Sequence, residues 1–264
     1  MSMNKSMTTE SRFIAEAAAK ECQLMGSHEI DEDHLFLALL VSGGPAAKFL
    51  VESGVELTAA RASASRRLVD LAGSIGLKFT AQSEVSSGSG NVVPSVAWSA
   101  RAQTLMRSVR AHDTDMALLE ELWDSPTGTT RDIINGCSIP QLDPKMALAS
   151  YHTETDLEGT YEQIAPVSSK QIKQVLNLEA MKVFDSGVPA SFQQNSNGTV
   201  SLVMGQRDRE RETVFEVIEG NPARVRASAE FKPTALGKLL TKPINSSLRN
   251  SLRRKVMLII QAVK

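Results

Sequence analysis

The chain has 264 residues, 42% hydrophobic and 22% charged, with a formal net charge of −1. That balance excludes a disordered or fibrous chain, and the length accommodates two ordinary domains. Two cysteines are too few for a disulfide scaffold, which suits a reducing compartment. Residues 1–150 hold 13 Lys and Arg against 18 Asp and Glu, a balance of −5, while residues 151–264 hold 16 against 12, a balance of +4. The sign change predicts two domains, 1–150 and 151–264.

In chain order, Thr8 or Thr9 suits the N-cap of a first helix reaching about Met25. Ile14, Ala17, Ala18 and Leu24 give it an apolar stripe, and Gly26 ends it. The opening, Met1-Ser2-Met3-Asn4-Lys5, lacks the apolar core of a signal peptide, so a cytoplasmic location is expected. No segment is apolar for long enough to predict a membrane span. Asp31 caps a second, strongly apolar helix, Glu32 to Leu40, with its carboxylate at the favourable end of the helix dipole. Gly43-Gly44-Pro45 reads as a turn into a short third helix ended by Gly54, and a fourth runs from Leu57 to about Ala72. Ser86-Ser87-Gly88-Ser89-Gly90-Asn91 has linker composition. Helices resume over Trp98–Ala111, Thr114–Trp123, Thr127–Asn135 and Leu142–Ala149. Asp31/Asp113, Asp33/Asp115, Leu37/Leu119, Leu40/Leu122 and Gly54/Gly136 are identities at one offset of 82, which predicts a duplicated four-helix unit.

Leu24, Ile30, Asp33-His34-Leu35, Ala46-Ala47-Lys48, Leu50 and Gly54-Val55 stand in the order and spacing of a known pattern. On these residues, over roughly positions 7–150, the chain resembles the double-repeat N-terminal domain of Clp-type unfoldases. The second repeat departs from the pattern, with Met116 where the first has His34 and no counterpart of the Gly26–Ile30 loop. The family's ATPase is missing. The only Gly-Lys, Gly237-Lys238, is followed by Leu239 and has no glycine five residues earlier, so no phosphate loop exists.

The resemblance implies a module that binds proteins: substrates, adaptors or arginine-phosphorylated chains. It places partner-binding acids at Asp33 and Asp115 and hydroxyls at Thr8 and Ser99. The family usually has Glu where the two aspartates stand. A carboxylate grips a guanidinium bidentately, but helix capping accounts for both aspartates as well. Trp98, at a position where the family often has an aromatic residue, either lines a partner groove or packs in the core. His34 beside Asp33 reads as a buried structural histidine, because no metal-ligand spacing accompanies it.

Beyond residue 150 the pattern changes. An extended region at Thr153–Ile164 is followed by a helix from Ser168 or Ser169 to Phe184. Strands are expected at Pro189–Gln194, Thr199–Met204, Thr213–Ile218 and Val225–Phe231, with an Asn197-Gly198 hairpin turn. A terminal helix from about Ser246 places Leu248, Leu252, Val256, Ile259, Ile260 and Val263 on one side. Arg249, Arg253, Arg254 and Lys255 form a basic surface on the other. The fold class expected is thus an all-α double repeat followed by an α+β domain, an antiparallel sheet closed by a long helix. That element order is similar to helix-grip (START or polyketide-cyclase-like) domains, which implies a possible apolar ligand.

No nucleophile elbow, metal spacing or paired carboxylates mark a catalytic site, and no cofactor or metal is expected. The leading expectation is a non-enzymatic adaptor, decoy or regulator whose partners are Clp protease components, adaptors or their substrates. Two alternatives stay open: a small-molecule or lipid carrier or sensor through the C-terminal domain, and a DNA-binding regulator using the basic terminal helix.

Overall fold

The structure is a computed structural model that describes residues 8–74, 96–112, 114–139, 159–177, 190–204, 211–229 and 241–263. The protein is mixed α and β, with nine helices and a five-stranded antiparallel sheet among the described residues. It divides into two compact units, Met1–Tyr151 and His152–Lys264. Asp113, the glycine-serine stretch at residues 86–91, the helix expected at 142–149 and the junction at 150–155 lie outside the described residues.

In the first unit, α1 (Thr9–Leu24) starts where the Thr8 hydroxyl accepts the Ser11 N–H at 3.3 Å. It ends before Gly26, whose φ of +68° is left-handed. Helix α2 (Glu32–Ser42) is buried at every residue. Its apolar residues run all round rather than along a stripe, which suits a helix at the centre of a core. Helix α3 (Pro45–Glu52) starts with Pro45 at its first position. Helix α4 (Leu57–Ser74) is tied to α1 by a bidentate pair, Arg61 Nε and Nη2 on the buried Glu21 carboxylate at 2.9 and 2.8 Å. Three further helices follow: α5 (Ala100–His112), α6 (Asp115–Trp123) and α7 (Thr129–Gly136).

The unit was expected to be all-α. It also contains a short parallel pair, β1 (Glu29–Ile30) beside β2 (Ala97–Trp98), extended by the Ser99 N–H on the Ile30 carbonyl at 3.0 Å. Two carboxylates stitch the unit together. Glu32, the first residue of α2, accepts from Arg101 Nε at 3.0 Å, from Ser125 Oγ at 2.8 Å and from Thr127 Oγ1, and Thr129 Oγ1 lies 3.4 Å away. Asp115, the first residue of α6, accepts the Ala46 N–H at the start of α3 at 3.1 Å. Each acid thus reaches the turn that follows the other's helix. Gly44 makes the second contact possible, since a Cβ there would lie 2.1 Å from Asp115 Oδ2.

In the second unit, β3 (Thr160–Ala165), α8 (Ser169–Leu176), β4 (Ala190–Gln194), β5 (Val200–Met204), β6 (Arg211–Ile218), β7 (Ala223–Ser228) and α9 (Thr241–Gln261) follow one another. The strand order is β3-β7-β6-β5-β4, all antiparallel. Strand alternation puts Tyr161, Ala165, Leu202, Phe215, Val225 and Ala227 in the core. Helix α9 packs on β3 and β7, and α8 on β6. The other face carries a cross-strand ladder in which Arg226 bridges Glu162 and Glu216, each at 2.9 Å. The Asn195–Thr199 hairpin turns through Gly198 at φ +81°. Helix α9 starts five residues before the Ser246 expected. Pro243 falls in its first turn, where a missing N–H breaks no helical bond.

No single helix among the described residues is long and apolar enough to cross a membrane; α2 and α3 pass such a test only as a pair, and they turn by 89° between them.

Candidate functional site

Capping chemistry fixes where the candidate residues fall. Asp31 Oδ1 accepts the N–H of Asp33 at 3.0 Å and of His34 at 3.3 Å, while His34 Nδ1 accepts the Asp31 N–H at 3.2 Å. This reciprocal arrangement caps α2 and buries His34 completely. The histidine is a structural residue of the helix start, and no group of three or more possible metal ligands occurs among the described residues.

Asp33, one position into α2, is only 1% exposed. Its two oxygens lie 3.2 and 3.3 Å from Nη1 of Arg67, which α4 brings across. Burial lifts the Asp33 carboxyl to about 6, and neighbouring Asp31 adds to the rise; Arg67 and His34 pull the other way without cancelling it. Arg67 Nε is also 3.6 Å from Asp132 Oδ2 on α7. The guanidinium is therefore held between a buried and an exposed carboxylate.

Above this ion group, α4 faces α7 and the turn before it across a cleft of about 530 Å³. Ser63, Arg66, Arg67, Asp70 and Ser74 line one wall, and Thr127 and Asp132 the other. The two helices touch at Gly136, where an added Cβ would lie 2.0 Å from Ser63 Oγ and 2.9 Å from Ser63 Cβ. Glycine at that point is what lets α7 approach α4. Thr127 ties this wall to the Glu32 contact. Burial works to raise the Glu32 carboxyl, but hydrogen bonds from Thr127, Ser125 and Arg101 outweigh it and hold the group below its ordinary value.

The five partner-binding candidates do not form one surface of matched groups. Thr8 and Ser99 are N-caps, of α1 through Ser11 and of α5 through the Ala102 N–H at 3.0 Å. Trp98 is half-buried in the two-stranded pair and its carbonyl accepts from Gln103. Asp115 is fully buried with its carboxylate on the start of α3, and the N-cap of α6 is Thr114. Asp33 alone reaches the cleft, through Arg67. The expectation of Asp33 and Asp115 as equivalent positions is corrected by helix geometry. Asp115 is the first residue of its helix, as Glu32 is, whereas Asp33 is the second and corresponds to Met116.

On the terminal helix, Arg254 is exposed, while Arg249, Arg253 and Lys255 are half-buried. Lys255 donates to Thr213 of β6, so it serves the packing of α9 on the sheet.

Arg66, Arg67 and Asp132 went unnoticed in the sequence. Charged residues on an amphipathic helix carry no mark of which neighbour they will face, and Asp33 offered the one signal that led toward them. Comparison with protein-family models, with curated proteins and with solved structures finds no match for this chain.

Proposed function

We propose that this chain is a non-enzymatic protein-binding protein whose first unit is a double Clp-type repeat, and that it acts as an adaptor, decoy or regulator of Clp-dependent proteolysis. The duplication is supported by paired local features. Thr8 and Ser99 cap the first helix of each half, and Asp31 and Thr114 the second. Residues in the left-handed region, Gly54 and Ser138, follow α3 and α7. Glu32 and Asp115 then exchange contacts between the halves.

The observation that carries the binding role is the cleft between α4 and α7. It is open and lined by hydroxyl and charged residues of both signs, a surface suited to side chains of another polypeptide rather than to an enclosed small molecule. Residues 1–264 hold no phosphate loop, so calorimetry of this chain with ATP should show no heat of binding. The second unit, a five-stranded sheet gripped by α8 and α9, is read as a shortened helix-grip domain appended to the binding module.

The deciding experiment uses the immobilised full chain against purified Clp ATPase, its adaptors and unfolded clients. Retention of at least one of these, competed by free chain, is expected. Failure to retain any of them would remove the Clp-related reading.

A further inference from the structure

We propose that the cleft between α4 and α7 takes a polypeptide segment in which a carboxylate side chain lies beside a cationic one, a deepening of the protein-binding role just proposed.

Burial separates the cleft into floor and rim. Ser63 is 7% exposed and the Arg67 side chain 23%, so their donors sit low, whereas Arg66, Asp70, Thr127 and Asp132 are exposed. Arg67 is fixed by Asp33 from below and Asp132 from the side, at 3.2 and 3.6 Å. The charged form of Asp33 is disfavoured by its burial even with Arg67 beside it, so this pair is a poor device for stability. What it achieves is a guanidinium held in one place. Arg66 is anchored by its Nε on the Ala62 carbonyl at 3.3 Å, and among the described residues its two Nη groups have no acceptor. A carboxylate entering the cleft therefore meets two adjacent guanidinium groups, one of them pre-set, and guanidinium is the best partner for a planar carboxylate.

The rim decides what travels with that carboxylate. Asp70 is one helical turn beyond Arg66 and has no donor among the described residues, and Asp132 keeps much of its carboxylate in solvent, 59% exposed. A uniformly anionic ligand, nucleic-acid backbone included, would run into both aspartates. A uniformly cationic segment would run into Arg66 and Arg67. A segment of mixed sign satisfies the floor and the rim together, and each like-charge clash it avoids is a contribution to selectivity.

The test measures fluorescence anisotropy of labelled octapeptides against the full-length protein: alternating Glu-Lys, all-Glu and all-Lys. The alternating peptide should bind about tenfold more tightly than either of the others, the scale of one charge-assisted contact. Arg66→Gln should weaken it by about tenfold. Asp70→Asn should raise the all-Glu peptide toward the alternating one. Both residues are exposed on a helix, and far-UV circular dichroism checks that the variants fold; should Arg66→Gln unfold, Asp70→Asn decides alone. A homopolymer that binds as well as the alternating peptide overturns the proposal, as does binding unchanged by Arg66→Gln. No Clp component is present, so failure here removes the cleft assignment and leaves the Clp-related role standing. Success here beside a failed Clp retention experiment does the reverse.

Discussion

The two acidic helix starts of the first unit resemble each other in sequence and differ in what they do. At α2, Asp31 caps, Glu32 holds the opposite half by several hydroxyls and an arginine, and Asp33 holds Arg67 beside a cleft. At α6, Thr114 caps and Asp115 holds the Ala46 N–H, with Met116 where a third acid would stand. Three jobs at one start have become two at the other. The lesson is that an acid near a helix N-terminus is defined by its position in the first turn, not by its match to a residue at a constant offset.

Breaking the stronger of the two contacts should have the largest effect. Glu32→Ala removes the acceptor shared by Arg101, Ser125 and Thr127 and should destabilise the first unit by about 2–3 kcal/mol in urea unfolding followed by circular dichroism. A loss under about 1 kcal/mol would show that Glu32 is not what joins the halves. The folded Glu32 carboxyl lies below its unfolded value, so its stabilisation is present above pH 4.5 and is lost as pH falls through the folded value.

Asp33 should behave in the opposite sense and so sharpens the contrast. Its folded carboxyl is raised to about 6 from a model-peptide value of 3.8. The native state therefore binds this proton more tightly, and stability falls as pH rises through that window. Asp33→Asn removes the charge and should stabilise the protein by up to about 3 kcal/mol at pH 7, with the gain fading as pH falls from about 6 and gone below about pH 4. A loss of stability at pH 7 would show that the bond to Arg67 outweighs burial.

Gly136→Ala forces a methyl group into Ser63 and should cost about 1–3 kcal/mol. It should also weaken peptide binding in the cleft that the two helices form. Smallest of all is Asp115→Asn. An amide oxygen still accepts from Ala46, so a loss smaller than that of Glu32→Ala is expected. Equal losses for the two would erase the distinction between the helix starts.

Local chemistry was the readable part of this chain. Gly26, Gly43, Gly54, Pro45, Thr8 and Asp31 each act within a few residues, and each marks a helix boundary in the structure. The strands of the second unit were readable through alternation and the Asn197-Gly198 turn, and β3 overlaps the extended region expected at Thr153–Ile164. The repeat register was not readable to the residue. Counting from helix starts, Glu32 and Asp115 are 83 apart, while the turn residues Gly54 and Ser138 are 84 apart. A constant offset of 82 falls one or two residues short of these spacings. The cleft was hidden for another reason. Arg67 meets Asp33 across 34 residues of chain, a pairing set by how α4 crosses α2 and by no local rule.

The central helix also constrains how the protein is made. Helix α2 is buried on every side, and the groups that engage Glu32 at its start lie 69 to 97 residues further along the chain. At ribosomal speeds the wait from the end of α2 to Thr129 is roughly 4–17 s. Throughout it the helix packs on α1, α3 and α4 but lacks the cover that α5, α6 and α7 supply, and closing so long a loop comes before the contacts that reward it. The emerging chain thus keeps one side of an apolar helix open to solvent for those seconds, and the buried Glu32 carboxylate waits as long for its partners.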